Sequence, residues 1–147
     1  MFISVHFVFA CLLTRKLNNP LAAFLVGLFS HFLLDMIPHG DQGLEKKPIP
    51  FLKMAAVDLP FSCFSFFLIF NKINFVFPQV LAWGVLGAIL PDIFLGLAKV
   101  YPRSRIFGFF KEVNEFFHKI IKVKISFKKG LAVQSAFFIF FLFLLFK

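Results

Sequence analysis

Four polar residues with metal-ligand chemistry lie close together at the end of an apolar segment. They are His31, Asp35, His39 and Asp41, within the stretch Gly-Leu-Phe-Ser-His-Phe-Leu-Leu-Asp-Met-Ile-Pro-His-Gly-Asp at 27–41. His31 and Asp35 are four residues apart, so on a helix they share one face. Imidazole and carboxylate groups together suit Zn²⁺, and also Mn²⁺ or Fe²⁺. The pattern therefore indicates a divalent metal site, with Zn²⁺ as the first choice.

The composition of the chain is that of an integral membrane protein. Of its 147 residues, 60% are hydrophobic and 27 are Phe, and the mean hydropathy is +0.89. Soluble domains are closer to half apolar. Five apolar runs follow each other along a single domain spanning 1–147, at about 1–13, 20–38, 51–70, 78–98 and 131–146. Runs of about twenty apolar residues can cross a bilayer, and the first run is short for this.

The segment at about 105–125 has a different pattern. Its apolar residues recur with the helical period and its polar residues are largely basic, which predicts an amphipathic helix at the membrane surface. The expected fold class is all-α: a polytopic membrane helical bundle of four to five transmembrane helices plus one amphipathic interfacial helix. The basic stretch is expected to meet anionic lipid head groups. Nucleic acid is an unlikely partner because no stacking platform accompanies the charge.

The distribution of Lys and Arg predicts the orientation. If all five runs cross and the N-terminus is cytoplasmic, twelve of the sixteen Lys and Arg lie on the cytoplasmic side, nine of them between Lys99 and Lys129. This agrees with the positive-inside bias, although Arg15 and Lys16 fall on the other side. The predicted topology places further ionisable groups at the same depth in the membrane as Asp35.

Three of these groups complete the predicted metal site. Asp58 lies seven residues inside the third run, Asp92 lies seven residues before Lys99, and His6 is similarly shallow in the first run. The predicted metal ligands are His31, Asp35, Asp58, Asp92 and His6. His39 and Asp41 are the predicted general acid and base.

Each of these residues also has an ordinary structural explanation. His31 and Asp35 can form a hydrogen-bonded pair between helices, and His6 can be a satisfied core histidine. His39 and Asp41 fit a solvated Pro-His-Gly-Asp turn. Asp58 can cap a helix near Pro60, and Asp92 can bind backbone groups that Pro91 leaves unpaired. His118 is expected to be solvated on a surface helix.

The pattern Gly27-x-x-Ser30-His31-x-x-x-Asp35-x-x-Pro38-His39-x-Asp41 resembles a set of small bacterial inner-membrane proteins related to membrane-bound metal-dependent hydrolases. His6, Asp58 and Leu90-Pro91-Asp92 also look like that family, in the same order. The resemblance covers about residues 1–98 and implies a helical membrane fold, a divalent metal site and hydrolase activity. The chain has no His-Arg-Gly-x-Thr-His-Ser segment, which hydrolase members of the family typically carry.

Three functions follow as hypotheses. The first is a metal-dependent membrane hydrolase that acts on an amphiphilic lipid or phosphoester at the cytoplasmic leaflet of a bacterial inner membrane. The second is a non-catalytic membrane scaffold with a structural divalent ion. The third is a small proton or cation transporter, since intramembrane Asp and His residues suit ion relays.

Overall fold

The computed structural model describes residues 1–40, 48–73 and 77–147, with side chains throughout except at 48–55. These residues form helices and no strands, which confirms the all-α prediction for the described part of the chain. The six helices are α1 (Ile3–Thr14), α2 (Pro20–Asp35), α3 (Pro48–Lys72), α4 (Pro78–Val100), α5 (Arg105–Ile120) and α6 (Phe127–Phe146). Each predicted apolar run overlaps one helix, although α1, α3, α4 and α6 extend beyond the predicted bounds, and the amphipathic segment contains α5.

Local signals explain where α2 begins and how α6 ends. The Asn19 side chain accepts a hydrogen bond from the Ala22 amide, and Pro20 occupies the first turn of α2. The Arg15 guanidinium donates to the carbonyls of Leu144 and Leu145, at 3.3 and 3.1 Å. A cation there satisfies carbonyls that the helix leaves unpaired. Arg15, which opposed the predicted charge bias, therefore has a structural partner at the end of α6.

Helices α2 and α4 form the most extensive helix pair. Their backbones approach so closely at Gly27 that a Cβ atom there would overlap the carbonyl oxygen of Gly84. Small residues at such crossings allow close packing between helices in a membrane. The close α2–α4 crossing positions the end of α2, which carries His31 and Asp35, beside α4.

Two helices of the described chain are long and apolar enough to cross a membrane, namely α4 and α6. Helices α1 and α2 are apolar but have only 12 and 16 residues, about 18 and 24 Å at 1.5 Å per residue. A hydrocarbon core is about 30 Å thick, so neither spans it alone without help from flanking residues.

The bundle exposes many apolar side chains, and its interior combines an apolar core with buried polar groups. Large apolar side chains are exposed on the outside of the bundle, including Phe29 on α2, Phe67 on α3 and Phe143 on α6. Among the described residues, the buried polar groups are Ser4, His6, Thr14, Ser30, His31, Asp35, His39, Asp58, Ser62, Ser65, Asn114 and Gln134, residue types that are less often buried in soluble cores. An apolar surface around polar interior groups is typical of proteins that lipid surrounds.

We expect Gly27→Ala to destabilise the protein by about 1–3 kcal/mol, because the new Cβ would meet backbone that cannot rotate away. Gly96→Ala is the matched control, since a Cβ there has no neighbour within 4 Å. The control should be neutral or stabilising by up to about 1 kcal/mol from helix propensity. Thermal unfolding in detergent measures both. Equal melting temperatures for the two variants would contradict the close α2–α4 packing.

Candidate metal centre

The carboxylate of Asp35, the last residue of α2, lies at the centre of the polar interior. Three imidazole Nε2 atoms surround it: His6 at 3.2 Å from Oδ1, and His31 and His118 at 3.1 and 3.3 Å from Oδ2. The Asp35 side chain is 1% exposed. Helices α1, α2 and α5 therefore each contribute a histidine to one buried carboxylate. These residues, together with His39, are called the Asp35 cluster below.

The potential ligand atoms of the Asp35 cluster form two groups, and in each the atoms lie within 4.8 Å of one another. The first group contains His6, His31 and Asp35. The second contains Asp35, His39 and His118, so Asp35 belongs to both. These buried histidine and aspartate groups could hold a metal ion, since imidazole nitrogen and carboxylate oxygen are the donors found in zinc sites.

Backbone carbonyls determine the tautomers of two histidines. The Nδ1 atom of His31 lies 2.7 Å from the Ala88 carbonyl oxygen, and that of His39 lies 2.6 Å from the Ile37 carbonyl oxygen. A carbonyl only accepts, so both Nδ1 atoms carry the proton. In a neutral ring the Nε2 atom then carries the lone pair, and that atom of His39 faces the Met1 amino group at 2.9 Å. Histidines that bind metals usually have this arrangement, with the second ring nitrogen donating to a fixed acceptor.

The contacts of Asp35 Oδ2 fit a cation better than they fit hydrogen bonds. His31 Nε2 and Asp35 Oδ2 are 3.1 Å apart, yet neither atom has a partner with hydrogen-bond geometry, and neither ring nitrogen of His6 has one. If His31 is neutral, its Nε2 atom directs a lone pair toward a carboxylate oxygen, which is repulsive. A divalent cation between the two atoms would turn this repulsion into coordination. The residues present therefore fit a metal ion.

The amino group of Met1 is also close to Asp35. Its nitrogen lies 2.8 Å from Asp35 Oδ1 and 2.9 Å from Nε2 of His39. An ammonium group and a metal ion would compete for the same oxygen and the same lone pair. The amino group therefore offers a second way to compensate the buried charge.

Asp58 contacts the backbone and lies outside both groups of ligand atoms. The Ile3 amide donates to its Oδ2 at 2.5 Å, and the Ser4 amide lies 3.4 Å from both carboxylate oxygens. Amides in the first helical turn have no partner within the helix. Asp58 thus caps α1, whereas the capping expected from the sequence was within its own helix.

Asp92 on α4 also lies outside the two groups, although its charge acts on His31. Its Oδ2 atom is buried. Asp92 is therefore close enough to act on His31 electrostatically, and its predicted role as a direct ligand stays a prediction.

The turn that carries His39 is held against α6. Gly40 has a φ of 76°, a conformation that favours glycine, and a Cβ on Gly130 would overlap the His39 carbonyl oxygen. The Gln134 side chain donates to that carbonyl at 3.0 Å and accepts from the Phe2 amide at 2.6 Å. One glutamine therefore links this turn to the start of α1. Asp41, the other predicted acid–base residue, lies outside the described residues.

Sequence reasoning did not select three polar residues that the structure largely buries. His118 was expected to be solvated, but its side chain is 11% exposed and contacts Asp35. Gln134 and Asn114 are single amides in apolar surroundings. Asn114 is 1% exposed, and neither of its amide atoms has a hydrogen-bond partner. Because Asn114 and His118 are four residues apart on α5, they share one helix face.

Comparison with family models, with curated proteins and with solved structures finds no match for the chain. The resemblance to membrane-bound metal-dependent hydrolases therefore stays a prediction. Function is inferred from the chemistry of the Asp35 cluster, because a helical bundle alone does not define an activity.

The two carboxylates Asp35 and Asp58 allow a matched test of metal binding. We expect Asp35→Asn to lower Zn²⁺ affinity by more than the roughly 10–100-fold that loss of an outer-shell partner costs. Asp58→Asn should bind Zn²⁺ like the wild type, because Asn retains an oxygen for capping α1. Competition with a fluorescent zinc chelator measures both affinities. Equal losses would show that Asp58 is a ligand, and two unchanged affinities would contradict a metal site at Asp35.

Proposed function

We propose that the protein is a metal-dependent membrane hydrolase that cleaves an amphiphilic phosphoester or lipid substrate at the cytoplasmic leaflet. The observation that carries this proposal is the buried Asp35 carboxylate, with three imidazole Nε2 atoms within 3.3 Å. Perturbed ionisable groups inside an apolar protein are the usual components of a catalytic centre. The resemblance to membrane-bound metal-dependent hydrolases agrees with this assignment.

His6, His31 and Asp35 would hold the ion. Zn²⁺ is the preferred candidate because two imidazoles and one carboxylate form the donor set of several catalytic zinc sites, and Mn²⁺ and Fe²⁺ are alternatives. A bound divalent ion supplies an acidified water and polarises the substrate oxygen. The carbonyls of Ala88 and Ile37 keep the His31 and His39 rings oriented toward Asp35.

Proton transfer and substrate binding would involve other residues near the cluster. We assign proton transfer to His39, whose Nε2 atom would exchange its contact with the Met1 amino nitrogen at 2.9 Å for a contact with water, and Asp41 is its predicted partner. The Asn114 amide is buried without a partner, at a cost of about 1–3 kcal/mol per unsatisfied group. We assign Asn114 to hydrogen bonding with the polar head of a substrate, since an amide offers both donors and an acceptor.

We propose a multi-pass arrangement in a bacterial inner membrane, with a cytoplasmic N-terminus and four to five crossings. The exposed apolar side chains of α2, α3 and α6 support contact with lipid. Helix α5 presents Ile106, Phe109 and Phe116 outward, each more than 60% exposed, and is followed by a run of lysines at 119–129. An apolar face next to basic residues is typical of helices that lie on anionic lipid.

The direct test of activity is hydrolysis of a short-chain phospholipid in mixed micelles by the full-length protein. We expect turnover that a chelator abolishes and added Zn²⁺ restores. Asp35→Asn should reduce the rate to background, while Lys119→Ala, an exposed neighbour of His118, should keep it. Asn114→Leu should raise KM without lowering metal content or stability, because the change removes an unsatisfied buried amide. Turnover that survives chelation would contradict the proposal.

The membrane arrangement predicts a difference between two thiols. Cys63 is exposed on α3 but would face lipid, so a water-soluble maleimide should label it in native membranes only after SDS is added. Ser104→Cys, in the loop before α5, is the control and should react without SDS. Both proteins carry Cys11→Ala, so that Cys63 is the single thiol of the first. The Ser104→Cys control also carries Cys63→Ala. Equal labelling rates for Cys63 and the control thiol would show that α3 lies in water.

A non-catalytic scaffold is the second candidate, and burial is the observation that favours it. His6, His31 and His39 are 0% exposed, as expected for a cluster that holds helices together. His118 is the partly exposed member and belongs to α5, so substrate access would be on the α5 side. Absence of phosphoester or lipid hydrolysis by folded, metal-loaded protein would favour the scaffold.

A further inference from the structure

The Asp35 cluster is closed to solvent, so a substrate reaches it only if part of the protein moves. His6, His31 and His39 are 0% exposed, and the Asp35 side chain is 1% exposed. The side chain of His118, at 11%, is the most accessible of the cluster's side chains. Because His118 belongs to α5, the accessible edge of the cluster lies at this helix.

Close backbone packing and hydrogen bonds hold the other helices that surround the cluster. A Cβ on Gly27 would overlap the Gly84 carbonyl oxygen, so α2 and α4 cannot separate without losing their closest packing. Gln134 and Asp58 accept hydrogen bonds from amides at the start of α1. Hydrogen bonds away from bulk water are costly to leave unmade. Helices α1, α2 and α4 therefore form the fixed part of the site.

Helix α5 is attached in a different way. Within the described residues it packs on α2 and α4 alone. Phe117 stacks on Phe32 of α2 with centroids 4.8 Å apart, and Phe110 meets Phe94 of α4 at 4.5 Å. Apolar packing of this kind is not directional. Non-helical segments at 101–104 and 121–126 join α5 to α4 and α6, and such segments can absorb the backbone rotation of a moving helix.

An unsatisfied amide lies between the two aromatic contacts of α5. Phe110 precedes Asn114 by four residues and Phe117 follows it by three, so the three side chains share one helix face. Asn114 is 1% exposed, and neither of its amide atoms has a hydrogen-bond partner. A buried amide without a partner penalises the closed position of α5. Displacement of α5, or entry of a polar group beneath it, would remove this penalty.

We infer that α5 is the gate of the Asp35 cluster, and that stacking of Phe117 on Phe32 keeps the gate closed. In the open state the inner face of α5 separates from α2, and Asn114 meets the polar head of the entering substrate. The inference rests on the proposed function for the identity of what enters. Phe117 is a positioning residue, because it controls access to the cluster through the placement of α5.

Thiol labelling tests the gate without metal or substrate. A protein with Asn114→Cys and Cys63→Ala carries two thiols, the introduced one on α5 and Cys11, which is 0% exposed on α1. Labelling by a water-soluble maleimide in mild detergent is followed by peptide mass spectrometry, and each rate is divided by the rate of the same thiol in SDS. Local opening of α5 predicts that the introduced thiol reacts at least about tenfold faster than Cys11. Equal protection of the two thiols would overturn the inference.

Two neighbouring phenylalanines allow a matched test of what holds the gate closed. Phe117→Ala should raise the normalised labelling rate at position 114 by about 2–10-fold, the loss expected for one aromatic pair. Phe116→Ala removes the same atoms from a side chain that is 64% exposed and should leave the rate unchanged. Cys11 should stay protected in both variants, which shows that the bundle is intact. No acceleration by Phe117→Ala, or equal acceleration by both changes, would contradict the role of the stack.

Hydrogen exchange of the wild type covers the case in which a variant fails to fold. Amides of α5 should exchange faster than those of α2, and similar protection of the two helices would overturn the inference. Rapid labelling at position 114 without lipid or phosphoester hydrolysis by the wild type would support the gate and reject the proposed function. Hydrolysis by the wild type, with position 114 as protected as Cys11, would do the reverse.

Discussion

A carboxylate buried among imidazoles requires a cation, and the arrangement of the chain around Asp35 depends on this requirement. A charged Asp near the centre of a membrane helix costs roughly 3 kcal/mol on insertion scales, and more where water is excluded. The Asp35 side chain is 1% exposed, and its nearest polar atoms are three imidazole nitrogens and the Met1 amino group. The Met1 ammonium group lies 2.8 Å from Oδ1, and a divalent ion bound at Oδ2 would remove the repulsion between that oxygen and imidazole lone pairs.

The surrounding structure holds this cluster from several directions. The close crossing at Gly27 and Gly84 fixes α2 against α4, which supplies the carbonyl that orients His31. Asp58 and Gln134 bind amides at the start of α1, and Gln134 also binds the turn that carries His39. Residues far apart in sequence thus fix the position of each imidazole, as a preorganised site needs.

The helices could be predicted from the sequence because hydropathy and helical periodicity are local properties of the chain. The same local reasoning, with depth counting from the charged loops, selected His6, His31 and Asp35, which the structure brings together. It relied on the regular rise of a helix, so residues at the same depth in neighbouring helices were expected to be neighbours. The predicted four to five membrane crossings exceed the two helices of the described chain, α4 and α6, that are long and apolar enough to span a membrane.

Other parts of the site depend on contacts that no local pattern records. Asp58 lies at the membrane depth expected of a ligand. Its oxygens instead accept hydrogen bonds from the amides of Ile3 and Ser4, which lie 55 and 54 positions earlier in the chain. Gln134 and Asn114 are isolated amides, so no spacing distinguishes them from ordinary helix residues. His118 lies on an amphipathic helix, where solvent exposure is the usual outcome. Instead, the packing of α5 on α2 and α4 buries most of the His118 side chain.

X-ray absorption spectroscopy of the zinc-loaded protein tests the central claim most directly, because it reports the atoms that bind the ion. Coordination by the Asp35 cluster predicts a first shell of nitrogen and oxygen at about 2.0–2.1 Å, with outer-shell scattering from at least two imidazoles per zinc ion. Cys11 and Cys63 are not members of the cluster, so no sulfur is expected. A sulfur shell near about 2.3 Å, or a spectrum without imidazole scattering, would contradict the account.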